Sequence, residues 1–431
     1  MIEEWNLAEL TAGAKVGSIL VIPMLWNEEN TALEKTARKC GVHTADISAN
    51  VQEQFNRANG AIADCWRIDA QAVREGVLHR KTGTALVLDA DPQSKMELGD
   101  IVIYRFNTGV AFACLVVTYS RMELLEKICH PGYAEGDCIF CFENEQEPVL
   151  LERQLALWLR GYGLETFYPG DALFLEAYVY SLAVAKHRFA ALEQMQQITF
   201  NMHLMAALEE PASDTSEEDV DYVYAVKDQL KNSYRWGCCV SSQTISYITA
   251  DEQQDFEAEL EMQIQDGLPI VCLALYEKYT CLYYGRLLAE ETPKKVRRIK
   301  YLKRGMLRFK AYGTVSPETI SRWYNVRTIY AHLIEFFGVQ AAIEEIGAKI
   351  EMLSDAQKQA EESVTNTIMG AIGLFGVVSI LDSLLSIYEV LSGGNAVEWY
   401  LFRMFGAGLV VLTAAAVLIC RGYEHKDHPR S

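Results

Sequence analysis

Residues 368–391, IMGAIGLFGVVSILDSLLSIYEVL, decide the fold class of this 431-residue chain. A second apolar stretch, WYLFRMFGAGLVVLTAAAVLIC, follows at residues 399–420. A helix of 22 residues is about 33 Å long and can cross a hydrocarbon core of about 30 Å. Trp399 and Tyr400 stand where interfacial aromatic residues are expected. The sequence therefore predicts two transmembrane helices, 366–391 and 399–420, joined by a short loop at 392–398; for the first, an amphipathic core helix is the alternative.

Basic residues predict how these two helices are oriented. The loop 392–398 has no Lys or Arg, whereas the tail 421–431 contains Arg421, Lys426 and Arg430. Basic residues are retained on the cytoplasmic side of a membrane. We therefore expect a two-pass protein of the cell (inner) membrane, embedded in its lipid bilayer with both termini in the cytoplasm.

Composition limits what the rest of the chain can do. The 39 basic and 58 acidic side chains give a net charge of −19, which argues against bulk binding of nucleic acid. Apolar residues make up 50% and charged residues 23%, so residues 1–315 can bury a large core. Eleven cysteines without regular spacing argue against a disulfide scaffold and favour a reducing compartment.

A long helix is predicted to lead into the membrane. Ser316-Pro317-Glu318 is typical of a helix start, and the next proline is Pro429, so one unbroken helix is expected from 317 to 391, with a stalk at 316–365. Val339, Ile343, Ile346, Ile350 and Leu353 follow a heptad repeat, whose register continues to Leu385. This seam predicts packing against other copies; packing of the helix on its own domain is the alternative. Gly338 and Gly347 leave room for a bend.

Polar residues of the first membrane helix fall on one face, within an arc of about 80°. Because an ionised Asp facing lipid is costly, this face is predicted to line a pore, with a carboxylate mouth outside and an apolar constriction towards the cytoplasm. A hydrogen-bonding role for Asp382 inside a helix bundle is the alternative. The predicted pore residues are Ile368, Ile372, Phe375, Ser379, Asp382, Ser386 and Glu389.

This arrangement resembles the CorA family of metal-ion transporters over about the last 115 residues. Members of that family are pentamers whose first membrane helices line the pore and end in a Gly-Met-Asn motif that orders hydrated magnesium. At the matching place stand Gly393, Gly394 and Asn395, so Gly394 replaces the methionine of that motif. The resemblance implies a homo-oligomeric channel, expected to be a pentamer, that conducts cations and takes a divalent cation as its family does.

The enlarged cytosolic portion is similar to that of CorA-like proteins found beside type III CRISPR systems. That similarity implies a nucleotide-activated antiviral effector gated from the cytosol. A constitutive divalent-metal transporter and a non-conducting membrane scaffold are the alternatives. The chain has no Walker A, Rossmann or His-Glu-x-x-His motif, and no catalytic residue is predicted.

Residues 1–315 are predicted to form an α/β cytosolic domain with a helical insertion, so that the whole chain is an α+β membrane protein. Residues 16–26 read as a buried strand, and 100–119 as a β-hairpin turning at Asn107-Thr108-Gly109. A second strand pair is expected at 269–288, a helical region at 171–210, and an acidic linker at 209–221.

Two clusters could bind ligands. The first, Cys129, His130, Cys138 and Cys141, has zinc-ligand chemistry, with buried strand cysteines as the default. The second is a basic run between 294 and 310 that could bind a small anionic or nucleotide-type ligand, or be paired with the protein's own acids. Its candidate ligand-binding residues are Lys294, Lys295, Arg297, Arg298, Lys300, Lys303 and Arg304, followed by Arg308 and Lys310.

Overall fold

The computed structural model describes residues 7–27, 29–56, 62–88, 91–129, 140–168, 173–209, 219–250, 255–290 and 296–392, together with Tyr400, Arg403, Gly406 and Gly408. The chain divides into two compact units. The first comprises Met1–Thr292 and Tyr301–Ala348, and the second Pro293–Lys300 and Lys349–Ser431.

In the described part of the chain, thirteen strands belong to one sheet in the first unit. They are β1 Lys15–Trp26, β2 Arg38–Cys40, β3 Ala63–Ile68, β4 Leu86–Leu88, β5 Asp91–Phe106, β6 Val110–Tyr119, β7 Phe140–Phe142, β8 Pro148–Val149, β9 Leu164–Thr166, β10 Tyr178–Ala185, β11 Val220–Tyr224, β12 Trp236–Ser241 and β13 Thr244–Ala250.

Helices cover the sheet and continue into the second unit. They are α1 Leu7–Leu10, α2 Ala32–Thr36, α3 Ala49–Asn56, α4 Ala70–Leu78, α5 Glu123–Cys129, α6 Leu151–Gly161, α7 Leu192–His203, α8 Phe256–Met262, α9 Leu268–Glu290, α10 Val296–Arg308, α11 Pro317–Ile320, α12 Tyr324–Phe336 and α13 Val339–Ser392. Two π-helical turns, Gln263–Gly267 and Phe309–Gly313, precede α9 and follow α10.

The centre of the sheet is β1, which pairs antiparallel with β10 on one side and with β6 on the other. Its eight middle residues are all buried, as expected of an apolar run covered on both faces. The predicted strand at 16–26 is therefore confirmed. The predicted hairpin is confirmed as well, because β5 and β6 pair antiparallel and Gly109 takes a positive φ of 91° in the turn.

Two predictions for the first unit are wrong. Residues 269–288 form the helix α9 and not a strand pair; Ile270, Val271 and Leu273 are all buried there. A run that is apolar on every side fits a buried helix as well as a buried strand, and here its length should have decided for a helix. Residues 171–210 contain α7, but the strand β10 precedes it, in keeping with its β-branched and aromatic residues. Of the predicted acidic linker, 210–218 lie outside the described residues, and β11 begins at Val220.

The predicted unbroken helix from 317 to 391 is also wrong, since it is three helices. Ser316 does cap the first, accepting a hydrogen bond from the amide of Glu318 at 3.3 Å. The chain is extended at Ser321 and Trp323, where the indole N–H of Trp323 donates to the carbonyl of Ala45 at 3.2 Å. Gly338, with a φ of 60°, then separates α12 from α13. Because other residues rarely adopt this conformation, the glycine ends α12 and allows α13 to start in a new direction.

Candidate functional site

The strongest functional feature of the second unit is an exposed apolar segment of α13. Thr365–Tyr388 comprises 24 residues with a mean hydropathy of 2.1, and none of its apolar window is buried within the chain. At 1.5 Å per residue it is about 36 Å long, enough to span a bilayer. The helix α9 is of similar length, but Cys272, Leu273 and Ala274 at its centre are fully buried. The exposed segment therefore needs lipid or further protein to cover it, whereas α9 does not.

The predicted constriction residues lie on this exposed segment. The side chains of Ile368, Ile372 and Phe375 are exposed, Phe375 by 75%. Exposed apolar side chains are suited to a surface that faces lipid or to a constriction that closes a pore. Their role in a pore remains a prediction.

Asp382, by contrast, lies beside a basic side chain. Its carboxylate lies 3.5 Å from the guanidinium of Arg403, which also donates a hydrogen bond to the hydroxyl of Ser386. The hydroxyl of Ser386 in turn donates to the carbonyl of Asp382 at 2.8 Å. The charge of Asp382 is thus offset within a single chain, which weakens its predicted role as a cation-attracting group.

Arg403 could have been found from the sequence. It lies within the predicted second membrane helix, so each of the two apolar segments contains a charge, and the signs are opposite. Charged residues within membrane segments usually pair with one another.

Several predicted outer residues lie outside the described part of the chain. These are Gly393, Gly394 and Asn395 of the outer-mouth motif, the tail 421–431, and most of the second apolar stretch. For Glu389 the backbone is helical, and its side chain is not described. A second membrane helix, the outer motif and the two-pass topology therefore remain predictions.

The heptad seam has to be corrected for its first four positions. Val339, Ile343, Ile346 and Ile350 are all buried within the single chain, Ile350 with 2% exposure. The prediction that these residues form a contact between copies is wrong, because the chain already covers them. Charges placed at Ile346 and Ile350 would therefore disrupt the folded chain before they reported on assembly. Leu374 and Leu381, further along the same register, are exposed and remain available for contacts between copies.

Residues 296–308 of the basic run form the helix α10. In α10, Leu302 and Met306 are buried, whereas Lys300 and Arg304 are exposed and Lys303 is half-buried. Among the described side chains, none of these three cations forms an ion pair with a carboxylate. The predicted alternative, pairing with the protein's own acids, is therefore not what the described part of α10 shows. Lys294 and Lys295 lie outside the described residues, as do the side chains of Arg297 and Arg298.

The segment after α10 packs directly on the start of α13. The Lys310 ammonium lies 3.1 Å from the position that a β-carbon would take at Gly347. A larger residue at 347 would displace Lys310. Lys310, at the end of the basic segment, therefore lies against α13.

A cavity of about 800 Å³ in the first unit was not predicted. It lies at the N-terminal ends of β10 and β13, with Lys278, His203 and Tyr279 among its lining residues. The Lys278 ammonium lies 4.7 Å from the centre of the Phe337 ring, just before the break at Gly338. Burial lowers the pKa of Lys278. Glu126, Glu176 and Asp219 also line the cavity, so its charged lining is mainly acidic. These residues are distant in sequence and come together only in the folded chain, so no local motif predicts the cavity.

The predicted zinc ligands are described in part. Cys129 ends α5 and Cys141 lies in β7; both are buried, and burial raises the pKa of Cys129 to about 12. The Cys141 thiol donates to the carbonyl of Val87 at 3.8 Å. His130 and Cys138 lie outside the described residues, and the described residues contain no group of three or more metal-binding side chains.

No protein-family model matches this chain, and no curated protein matches it either. The resemblance to the CorA family therefore remains a prediction from the sequence.

Proposed function

We propose that the chain is a membrane protein whose Thr365–Tyr388 segment crosses the bilayer and, in a homo-oligomer, lines a cation-conducting pore controlled by the cytosolic unit. The observation that carries this proposal is that the chain itself buries none of the apolar window of that segment. Burying one large apolar side chain contributes about 1.5–3 kcal/mol, so water is an unfavourable environment for so many of them. In a homo-oligomer, lipid would cover the apolar side chains on one face of the segment, and neighbouring copies would cover those on the other.

The predicted pore residues lie at different depths along the helix, and their chemistry changes with depth. Ile368, Ile372 and Phe375 supply an apolar constriction that stops ions by dewetting when it is narrow. Ser379 and Ser386 supply hydroxyl groups further along the same face. Because Arg403 offsets the charge of Asp382, attraction of cations falls mainly to Glu389, about two turns closer to the outer loop.

Control from the cytosol acts, in this proposal, through α10. The exposed cations Arg304 and Arg308 are four residues apart, so they lie on one face of the helix. Phosphate groups bind such cations through charge-assisted hydrogen bonds. A nucleotide-type ligand held there would shift the packing between Lys310 and Gly347, and hence the start of α13. Shifting a gate from 1:99 to 99:1 requires about 5.5 kcal/mol of preference for the open state.

Ion flux from liposomes containing the full-length protein tests this function. We expect flux that rises on addition of a nucleotide or nucleotide second messenger, and that Phe375→Ser makes the protein leak without ligand because it hydrates the constriction. Phe375→Leu, which keeps an apolar side chain, is the matched control. Arg304→Ala with Arg308→Ala should abolish the response to ligand, whereas Lys278→Ala should do so only if the ligand occupies the cavity.

Other outcomes identify the alternatives. Steady magnesium flux that no nucleotide changes would identify a constitutive divalent-metal transporter and contradict the gated channel. A non-conducting membrane anchor is favoured by one observation, the pairing of Asp382 with Arg403 inside a single chain, which leaves less charge for a pore. Normal membrane insertion without flux from the native protein or from Phe375→Ser would establish the anchor.

A further inference from the structure

Two cysteines face each other across the strands β2 and β3 of the first unit. The antiparallel register pairs Cys40 with Cys65, and Arg38 with Arg67. Paired residues of antiparallel strands have α-carbons about 4.5–5.5 Å apart, within the range of about 4.4–6.8 Å that a disulfide requires. The Cys40 thiol donates a hydrogen bond to the carbonyl of Arg38 at 3.5 Å. The strand register therefore brings the two α-carbons within the range that a disulfide requires.

The two thiols differ in access and in acidity. Cys40 is half-buried on β2, which within the described residues pairs only with β3, whereas Cys65 is buried with 6% exposure. The hydrogen bond from Cys65, helped by the positive charge of Arg38, lowers the pKa of Cys40 to about 6. Its hydrogen bond to Cys40, together with burial, raises the pKa of Cys65 well above its ordinary value. These shifts favour the thiolate at Cys40 and the protonated thiol at Cys65.

Positive charge on this face is only partly offset. Arg67 binds Asp100 at 2.5 Å and Glu261 at 2.7 Å, so these carboxylates share most of its charge. Arg38 is exposed on β2, two residues before Cys40 and hence on the same side of the strand. An exposed arginine beside a half-buried sulfur favours its anionic form.

We propose that Cys40 and Cys65 form a dithiol that hydroperoxides oxidise to a reversible disulfide. The Cys40 thiolate attacks a peroxide oxygen; the O–O bond breaks, Cys40 becomes a sulfenic acid, and the departing alkoxide or hydroxide takes a proton from solvent. The sulfur of Cys65 then attacks the sulfur of Cys40, the S–O bond breaks, and the hydroxide that leaves takes the Cys65 proton as water. The two sulfur atoms together lose the two electrons that the peroxide gains.

A second pair of cysteines provides an internal control. The sulfur atoms of Cys114 and Cys272 are 3.7 Å apart, but both residues are fully buried. Burial also raises the pKa of Cys272 well above its ordinary value. Proximity without access or a thiolate should leave this pair reduced.

Peptide mapping of the full-length protein in detergent tests the proposal. Brief treatment with hydrogen peroxide, followed by alkylation of remaining thiols and proteolysis, should yield a linked peptide containing Cys40 and Cys65. Dithiothreitol should release it. Cys114, Cys272 and Cys129 should be recovered as alkylated thiols only. Recovery of Cys40 as an unmodified thiol, or oxidation of Cys114 before Cys40, would overturn the proposal.

Substitutions at Cys65 separate its two roles. Cys65→Ser keeps a hydrogen-bond donor but cannot form the disulfide, so sulfenic acid at Cys40 should accumulate and be trapped by dimedone. Cys65→Ala removes the donor as well, so the pH midpoint for alkylation of Cys40 should rise above that of the native protein and of Cys65→Ser. Equal midpoints in all three proteins would show that Cys65 does not activate Cys40, even if a slow disulfide forms.

Discussion

At the residue scale, Glu277 is a carboxyl group buried between α9 and the segments around α12. It has 1% exposure, and one of its oxygen atoms accepts hydrogen bonds from the Tyr330 hydroxyl at 2.7 Å and from the Val315 amide at 2.9 Å. Burial, which these two donors only partly offset, raises the pKa of Glu277 from 4.5 to about 7. The folded protein thus holds this proton over a pH range in which the unfolded chain has released it.

This difference predicts a loss of stability as pH rises from 4.5 to about 7. Because the folded state binds more protons in that window, its free energy of unfolding falls there, by roughly 3 kcal/mol from this group alone. Glu277→Gln should remove that contribution, since the amide oxygen can accept both hydrogen bonds. Denaturant unfolding of the full chain at pH 5, 6, 7 and 8 measures it, as the difference between native protein and variant. Parallel pH curves for the two proteins would contradict the prediction.

At the element scale, the contact between Asp382 and Arg403 predicts coupled effects on membrane insertion. Asp382→Asn leaves Arg403 unpaired and Arg403→Gln leaves Asp382 unpaired, and each uncompensated charge costs about 2.5–3.5 kcal/mol at the centre of a membrane helix. The double variant has neither charge. We expect each single variant to lower the fraction of protein that resists carbonate extraction, and the double variant to restore it.

A control for this cycle is Glu351→Gln, a change of charge at an exposed position of α13 outside the apolar segment. It should not alter the extracted fraction. If the double variant extracts as readily as the worse single variant, the two charges do not stabilise one another in the membrane.

The elements that the sequence predicted correctly are those with a complete local signal. The strand β1 is a continuous apolar run of suitable length, and Asn107-Thr108-Gly109 marks a turn between two β-rich runs. For α9 the residue types favour a strand, whereas the length favours a helix. The segment is a helix, and neighbouring elements pack against it on all sides. In the predicted stalk, the sequence indicated a bend at Gly338, whereas the structure has a break between two helices. The sequence does not show whether a glycine takes a positive or a negative φ.

At the scale of the whole molecule, the sequence predicted only those parts of the candidate site that are formed by consecutive residues. The apolar segment Thr365–Tyr388 was visible in the sequence because a membrane span is a property of consecutive residues. The register of Cys40 with Cys65 and the contact of Lys278 with Phe337 depend on pairings between distant segments. No local pattern encodes such pairings, since folding selects them through the packing of the entire sheet.

The arrangement of the whole chain across the membrane is the last prediction. The tail has three basic residues and the loop 392–398 has none, so the loop should face outside and both long ends the cytoplasm. In intact cells, a membrane-impermeant maleimide should label Ser392→Cys. Leu230→Cys, whose native side chain is 98% exposed in the first unit, is the matched control and should be labelled only after permeabilisation. The unsubstituted protein gives the background from native cysteines. Labelling of Ser392→Cys only after permeabilisation would place the loop inside and reverse the proposed direction of the pore.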